Sequence, residues 1–361
     1  MSRSDYRIKI VVRCSMSSNN PKAKINILTR NILKPVVSHL LASPSWIFYP
    51  LMALIFSIVN VLPYIHNKII INYSTNILAG ESLPKPINFT SSNLIPAIVY
   101  KVFRIKSDDY YGQTSPQLYV FLLIFLTIIT YLIFMLGISK LQTQQNKRFV
   151  TIVLVSSPMH RFLAPPFDMY DIFIYLGIAL IIYGLITQNR LNLFFVGSFL
   201  FAFSHPEQAL ASFAALFLLS LNSNFQFLRR LTIQSLLFTI TVNFCIHIWF
   251  YLFGYRDART IEIIYGFLPI TLPGHISHPI DSIETIVKMY GVLWILVFLG
   301  LKILPGAKIE KSLFLFPMIG APFFFWFVTS DGLRCVVPMT TLLSFVLTVT
   351  LTTKLRKIDG I

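Results

Sequence analysis

Charge is scarce in this chain of 361 residues, since Asp, Glu, Lys and Arg together make up only 12% of it. A soluble domain carries about 25%. Hydrophobic residues make up 55% of the chain, and its mean hydropathy is +0.70. This combination excludes an ordinary soluble protein. It predicts an all-α polytopic membrane protein with a single transmembrane domain and no separate soluble domain.

Acidic residues and cysteines are scarcer still. The chain has 14 Asp and Glu against 30 Lys and Arg, a net charge of +16. In a soluble protein this excess would suggest a nucleic-acid partner, but membrane proteins enrich Lys and Arg in their cytoplasmic loops, so we predict none. The three cysteines, Cys14, Cys245 and Cys335, are far apart in sequence, which excludes a disulfide framework and a zinc site.

The N-terminal arm, residues 1–43, is basic and nearly free of acid. Its apolar residues recur at helical spacing, which predicts an amphipathic helix on an anionic membrane surface. An organellar transit peptide is the alternative, because it has a similar composition. Residues 44–353 are predicted to form the transmembrane domain, followed by a basic tail, 354–361.

Ten apolar segments are long enough to cross or enter a bilayer. They are 44–65, 116–138, 149–159, 168–187, 191–203, 206–222, 231–254, 286–304, 312–329 and 332–353. With a cytoplasmic N-terminus, every inner connection carries Lys or Arg, so both termini are predicted to be cytoplasmic. Two longer outer loops, 66–115 and 255–285, then lie on the other side.

The acidic residues sort to the opposite side. All but three of the 14 fall outside or at the outer ends of spans, and the exceptions are Asp5, Glu310 and Asp359. Acidic residues contribute little to topology, so this distribution indicates a function on the outer face.

Segments 149–159 and 191–203 are too short to cross the ~30 Å hydrocarbon core. Both run outward and are followed by polar residues, which predicts an outward-opening recess between helices. Its members are His160, Arg161, Asp168, Asp171, His205 and Glu207. Ordinary helix capping is the alternative for several of them, since Ser204 and Glu207 have capping-box spacing and Asp168 and Asp171 suit a helix N-terminus.

Asp108 and Asp109, next to Tyr110 and Tyr111, lie in the first outer loop. Two adjacent carboxylates repel, which suits a general base or a divalent-metal ligand; a solvated pair that balances nearby Lys and Arg is the other interpretation. Near the last span, Asp331 and Arg334 predict either an internal ion pair or a lipid-phosphate site.

This architecture resembles the C-type glycosyltransferase superfamily, membrane enzymes that use polyprenyl-phosphate sugars on the non-cytoplasmic face. The resemblance rests on Asp108-Asp109 in the first large outer loop, the acidic outer face, the short middle spans and the second long loop. The superfamily's key acid often follows the first span closely, whereas this pair precedes the second. Walker, GxGxxG, GxSxG and HExxH motifs of soluble enzymes are absent from the sequence.

The resemblance implies that a loop acid deprotonates or orients the acceptor, with His205 and Glu207 as further catalytic candidates. Arg161, Arg256 or Arg334 would neutralise the departing lipid phosphate, and aromatic and Leu-rich surface would hold the polyprenyl tail. It implies a bacterial plasma membrane with the active face outward, or an endoplasmic-reticulum-type membrane in a eukaryote. The alternatives are a transporter or flippase, and a non-catalytic subunit of a membrane complex.

Overall fold

A computed structural model describes residues 46–62, 88–89, 102, 116–161, 170–187, 191–252, 256–257, 279–304, 306–328 and 333–358. From Ser45 onward the chain forms one compact unit. The N-terminal arm lies outside the described residues. So do Asp108, Asp109, Tyr110, Tyr111, Asp168 and Asp331.

The described part of the chain is all-α apart from one pair of very short strands. The α-helices are α1 (Phe48–Val61), α2 (Pro116–Ser139), α3 (Gln144–Ser156), α4 (Tyr170–Thr187), α5 (Leu191–Ser204), α6 (Pro206–Ser220), α7 (Arg229–Leu252), α8 (Pro279–Tyr290), α9 (Trp294–Ile303), α10 (Lys308–Leu315), α11 (Ala321–Val328) and α12 (Leu333–Ile358). Pro158–Arg161, Ser223–Leu228 and Gly291–Leu293 are 3₁₀ turns, and Phe316–Gly320 is a π-helical turn.

Each of the ten predicted segments coincides with helix, which confirms the all-α prediction. Among the described residues, five stretches are long and apolar enough to cross a membrane, namely Val120–Ser139, Ser223–Trp249, Ile283–Ile303, Lys308–Phe327 and Cys335–Thr352. The two segments predicted to be short are short helices, α3 with 13 residues and α5 with 14. The last helix continues beyond residue 353 to Ile358, because basic side chains are favourable in a final helical turn.

Helix α12 is the centre of the bundle. Its stretch from Cys335 to Thr352 is wholly buried, and α3, α4, α6, α8, α9 and α11 pack around it. Helix α7 is peripheral, because its buried positions form one narrow stripe while Leu237, Phe244 and other apolar side chains are exposed. An apolar surface of this kind is what lipid contact requires.

Helices α4 and α5 cross at two glycines. A Cβ atom on Gly197 would lie 2.4 Å from the Gly177 carbonyl oxygen and 2.8 Å from the Ile181 nitrogen. A Cβ atom on Gly177 would lie 3.1 Å from the Phe201 nitrogen. The two backbones therefore touch, as small residues allow in membrane helix pairs, and these contacts set an antiparallel register.

Proline and glycine interrupt the later helices. The Met318 carbonyl in the π turn would normally accept from the N–H of residue 322, which is a proline; the buried Tyr290 hydroxyl donates to it instead. Gly291, with φ +53°, ends α8. The carbonyls exposed there are satisfied by Thr340, which donates to Met289 (2.8 Å), and by the Trp294 ring, which donates to Val287 (3.2 Å).

The helix directions give the bundle two chemically different ends. Helix α2 ends where α3 begins, and Asn222, after α6, donates to the Glu310 carbonyl at the start of α10 (2.7 Å). These segments define the basic end, which carries Lys140, Lys147, Arg148, Arg229, Arg230, Lys308 and Lys311. The opposite end, where α4 begins and α5 ends, carries Asp171 and Glu207 and is called the acidic end.

Each of the two long loops contributes one strand to a short sheet. Strand β1 (Asn88–Phe89) pairs in parallel with strand β2 (Arg256–Asp257), with Asn88 opposite Arg256. Residues 168 positions apart in sequence are thus hydrogen-bonded neighbours. Since β2 follows closely after the end of α7, this pairing joins the loops beyond the acidic end.

Candidate functional site

A one-residue break at His205 separates α5 from α6. The His205 N–H donates to the Phe201 carbonyl (3.0 Å), and the His205 carbonyl accepts from the Ala209 N–H (2.9 Å). The backbone of His205 is extended, because a residue before proline is disfavoured in the helical conformation. Helix α6 then folds back along α5, which brings the rings of Phe201 and Phe213 within 5.9 Å.

The capping-box interpretation of this segment is wrong. Ser204 belongs to α5, and its hydroxyl donates to the Leu200 carbonyl (2.6 Å). The N-cap residue of α6 is His205, and its side chain caps no backbone N–H. Pro206 takes the first helical position, where a missing N–H is harmless. Capping therefore explains neither His205 nor Glu207.

The buried His205 and the half-buried Glu207 form a close pair. His205 Nδ1 lies 3.0 Å from Glu207 Oε2, and the side chains are 1% and 21% exposed. A carboxylate beside Nδ1 favours the tautomer that carries its proton there, in which Nε2 is the nitrogen that can accept a proton. The arrangement suits a general base.

Asp171 lies at the same level of the bundle. The α4–α5 crossing brings Gly177 next to Phe201 and Ile181 next to Gly197, and extending this antiparallel register toward the start of α4 brings Asp171 level with the His205 break. Its side chain is 1% exposed. It lies in the first turn of α4, where the helix dipole favours a negative charge. Asp171, His205 and Glu207 are called the His205 cluster below.

Two further polar side chains continue from the His205 cluster into the bundle. Gln208 and Ser212 lie one and two turns along α6, and each is 1% exposed. Gln208 Oε1 and Ser212 Oγ have no hydrogen-bond partner among the described residues. Because buried polar atoms are almost always satisfied, a water or a polar ligand group is the expected partner. Gln208 was detectable in sequence as the one amide in an apolar helix, but it was missed.

His160 belongs to a second polar network and caps the short helix α3. Its Nε2 donates to the Leu154 carbonyl (2.8 Å), one of the last carbonyls of that helix. In the neutral ring Nδ1 therefore accepts, and the donor is the Tyr131 hydroxyl. Ser57 Oγ lies 3.1 Å from the Tyr131 oxygen. Ser57 and Tyr131 were missed, since hydroxyls in apolar helices are common and carry no spacing signal.

Substitution of Tyr131 by Phe should destabilise the protein by about 1–3 kcal/mol, because it leaves His160 Nδ1 and Ser57 Oγ buried without this partner. Thermal unfolding in detergent measures the change. The control is Tyr251→Phe, which removes a hydroxyl from a side chain that is 84% exposed. Equal melting temperatures for the two variants would contradict a stabilising role for the network.

For the remaining predicted site residues, the structure describes either the backbone alone or neither the backbone nor the side chain. Arg161 ends the 3₁₀ turn after α3, Arg256 lies in β2, and Arg334 lies in the first turn of α12, but their side chains are outside the described part. The described residues contain no group of three His, Cys, Asp or Glu that could hold a metal. A divalent ion at Asp108 and Asp109 stays a prediction.

Comparison with known proteins gives no match: no family model, no curated protein and no solved structure matches the chain. The functional assignment therefore depends on the residues and their geometry alone.

Proposed function

We propose that this protein is an integral membrane glycosyltransferase that moves a sugar from a polyprenyl phosphate to an acceptor on the non-cytoplasmic face. The observation that carries the proposal is the contact between the buried His205 and the half-buried Glu207, 3.0 Å apart, at the acidic end of the bundle. The position of this pair at one end of the bundle supports the assignment. The opposite end is rich in Lys and Arg, which membrane proteins enrich on their cytoplasmic side. The acidic end is then the outer face, and both termini are cytoplasmic.

In the proposed reaction an acceptor hydroxyl attacks the anomeric carbon while the bond from that carbon to the phosphate oxygen breaks. The acceptor proton passes to a base, which is the carboxylate of Asp108 or Asp109, or His205 oriented by Glu207. Polyprenyl phosphate leaves with the bonding electron pair, and Arg161, Arg256 or Arg334 neutralises its charge. Asp168, Asp171, Asp331, Tyr110 and Tyr111 are proposed to position the sugar and the acceptor.

The pairing of β1 with β2 supports this use of the loops. It links the loop that contains Asp108 and Asp109 to the loop that contains Arg256. The proposed base and a proposed phosphate-binding cation therefore belong to two loops that are paired with each other. Loops as long as these are usually functional or disordered.

The test is turnover of a polyprenyl-phosphate sugar by the full-length protein in liposomes, followed as release of polyprenyl phosphate by mass spectrometry. We expect turnover by the native chain and a loss of about 100-fold or more in Asp108→Asn or Asp109→Asn, if that carboxylate is the base. Full activity in both variants would remove the loop acids from the mechanism. Absence of turnover with every sugar tried, in correctly folded protein, would contradict the assignment.

A transporter or flippase is the second candidate. The observation in its favour is the polar path of Gln208 and Ser212, which leads from the His205 cluster toward mid-membrane; transporters bind their substrates there. Movement of a fluorescent lipid-linked sugar across liposomes without cleavage of its phosphate bond would identify this function.

A further inference from the structure

A groove of about 500 Å³ runs between α5 and α7 on the outside of the bundle. The two helices touch through small side chains, since Ser198 Oγ and Ser235 Oγ are 2.9 Å apart. Larger side chains on either side stand away from this contact and form the walls. The lining residues are Phe195, Val196, Ser198, Phe199, Gln234, Ser235 and Phe238.

Aromatic rings close the groove toward the acidic end. The ring of Phe199 lies 5.9 Å from that of Phe238 and 4.4 Å from that of Phe203. Its walls are almost entirely apolar, and Val196 and Phe199 are exposed. A single hydrocarbon chain suits such a surface, because the groove is narrow, apolar and open to the lipid phase.

A cationic pocket lies next to the other end of the groove. This second pocket, about 410 Å³, is lined by Gln226, Arg229, Arg230, Ile233 and Gln234. Gln234 lines both spaces, so they are neighbours along α7. Both arginines are exposed, and they lie in the first turn of α7 at the basic end.

We propose that the groove and the pocket together bind one anionic phospholipid from the leaflet at the basic end. Its phosphate contacts Arg229 and Arg230, and one acyl chain lies between α5 and α7. From Arg230 to Phe238 the helix rises about 12 Å, enough for a headgroup and the first part of a chain. Two adjacent guanidinium groups exceed the charge of one phosphate, which favours an anionic lipid over a zwitterionic one.

This site is separate from the proposed transfer reaction. It lies at the basic end, whereas the His205 cluster lies at the acidic end. The bound lipid is therefore not the sugar donor, and the inference holds whether or not the protein is a glycosyltransferase.

The experiment measures lipid binding to full-length protein in detergent by native mass spectrometry and by the shift in melting temperature. The probes are phosphatidylglycerol, phosphatidylcholine and soluble glycerol phosphate. We expect phosphatidylglycerol to bind and to raise the melting temperature, and the other two to have little effect.

The variants test separately the charge of the two arginines and the apolar groove. In the double variant Arg229→Gln/Arg230→Gln, phosphatidylglycerol affinity should fall about 30-fold. The matched control, Lys308→Gln/Lys311→Gln, removes two exposed charges from the same end and should bind as the native chain does. Val196→Trp fills the groove from its rim, keeps both arginines and should also weaken binding.

Four results would overturn the inference. Equal loss in the lysine control would show general attraction to a basic surface. Full binding by Val196→Trp would show that no chain enters the groove. Equal protection by glycerol phosphate would show a phosphate site without a lipid. Unchanged lipid retention in every variant would show that a partner protein covers the groove.

Discussion

Glu207→Gln should lower the proposed sugar transfer by about 100-fold while the protein stays folded. The substitution keeps the size of the side chain but removes the carboxylate that lies 3.0 Å from His205 Nδ1. Without it the imidazole loses the group that sets its tautomer and stabilises its protonated form, and a positioned general base contributes typically 10²–10⁴-fold. Loss of an acid from the first turn of α6 should reduce stability by only about 0.3–1 kcal/mol.

Glu284→Gln is the matched control for this change. Glu284 is at the same end of the bundle, is 57% exposed and pairs with Lys288 one turn along α8. Exposed pairs of this kind contribute about 0.3–0.5 kcal/mol, so transfer should be unchanged. Turnover and melting temperature are measured for both proteins. Native turnover in Glu207→Gln, or an equal loss in Glu284→Gln, would exclude the His205–Glu207 pair from the reaction.

Gly197→Ala should strongly reduce the amount of folded protein, although alanine favours a helix over glycine by about 1 kcal/mol. The new methyl carbon would lie 2.4 Å from a backbone oxygen, Gly177 O. A backbone cannot rotate away as a side chain does, so α4 and α5 must separate, and overpacking of this type costs about 1–3 kcal/mol or more. Separation of these helices would also displace Asp171 from the level of His205.

Gly137→Ala is the control variant for the backbone clash expected in Gly197→Ala. At this position, between α2 and α4, the new methyl carbon meets a ring atom of Tyr183 at 3.2 Å, and a side chain can shift by the few tenths of an ångström required. Size-exclusion profiles and thermal unfolding in detergent should show Gly137→Ala close to the native protein and Gly197→Ala far below it. Similar profiles for the two would contradict the tight α4–α5 crossing.

Much of the helical organisation follows from local sequence. Helix α2 begins at Pro116, after Ser115, because proline suits the first helical turn. Helices α3 and α5 are short because their apolar runs are short. Such features depend on composition and on neighbouring residues only, and the sequence carries them without any tertiary contact.

The pairing of His205 with Glu207 needed the structure. Side chains two positions apart in a helix do not face each other, so the spacing of the two residues predicted no contact. It is the extended backbone at His205, imposed by Pro206 and by the reversal of α6, that brings the imidazole to the carboxylate. The same break left Ser204 inside α5, which is why the capping box was wrong.

By itself, the sequence determined the membrane class, the helix positions and the unequal distribution of charge, because hydropathy, proline positions and net charge are local properties of the chain. The tertiary structure alone decided which polar groups meet. Tyr131 reaches His160 through the packing of α2 against α3, and β1 reaches β2 across 168 positions. Such contacts depend on how closely helices approach, and at Gly177 and Gly197 that approach is set by the absence of two side chains.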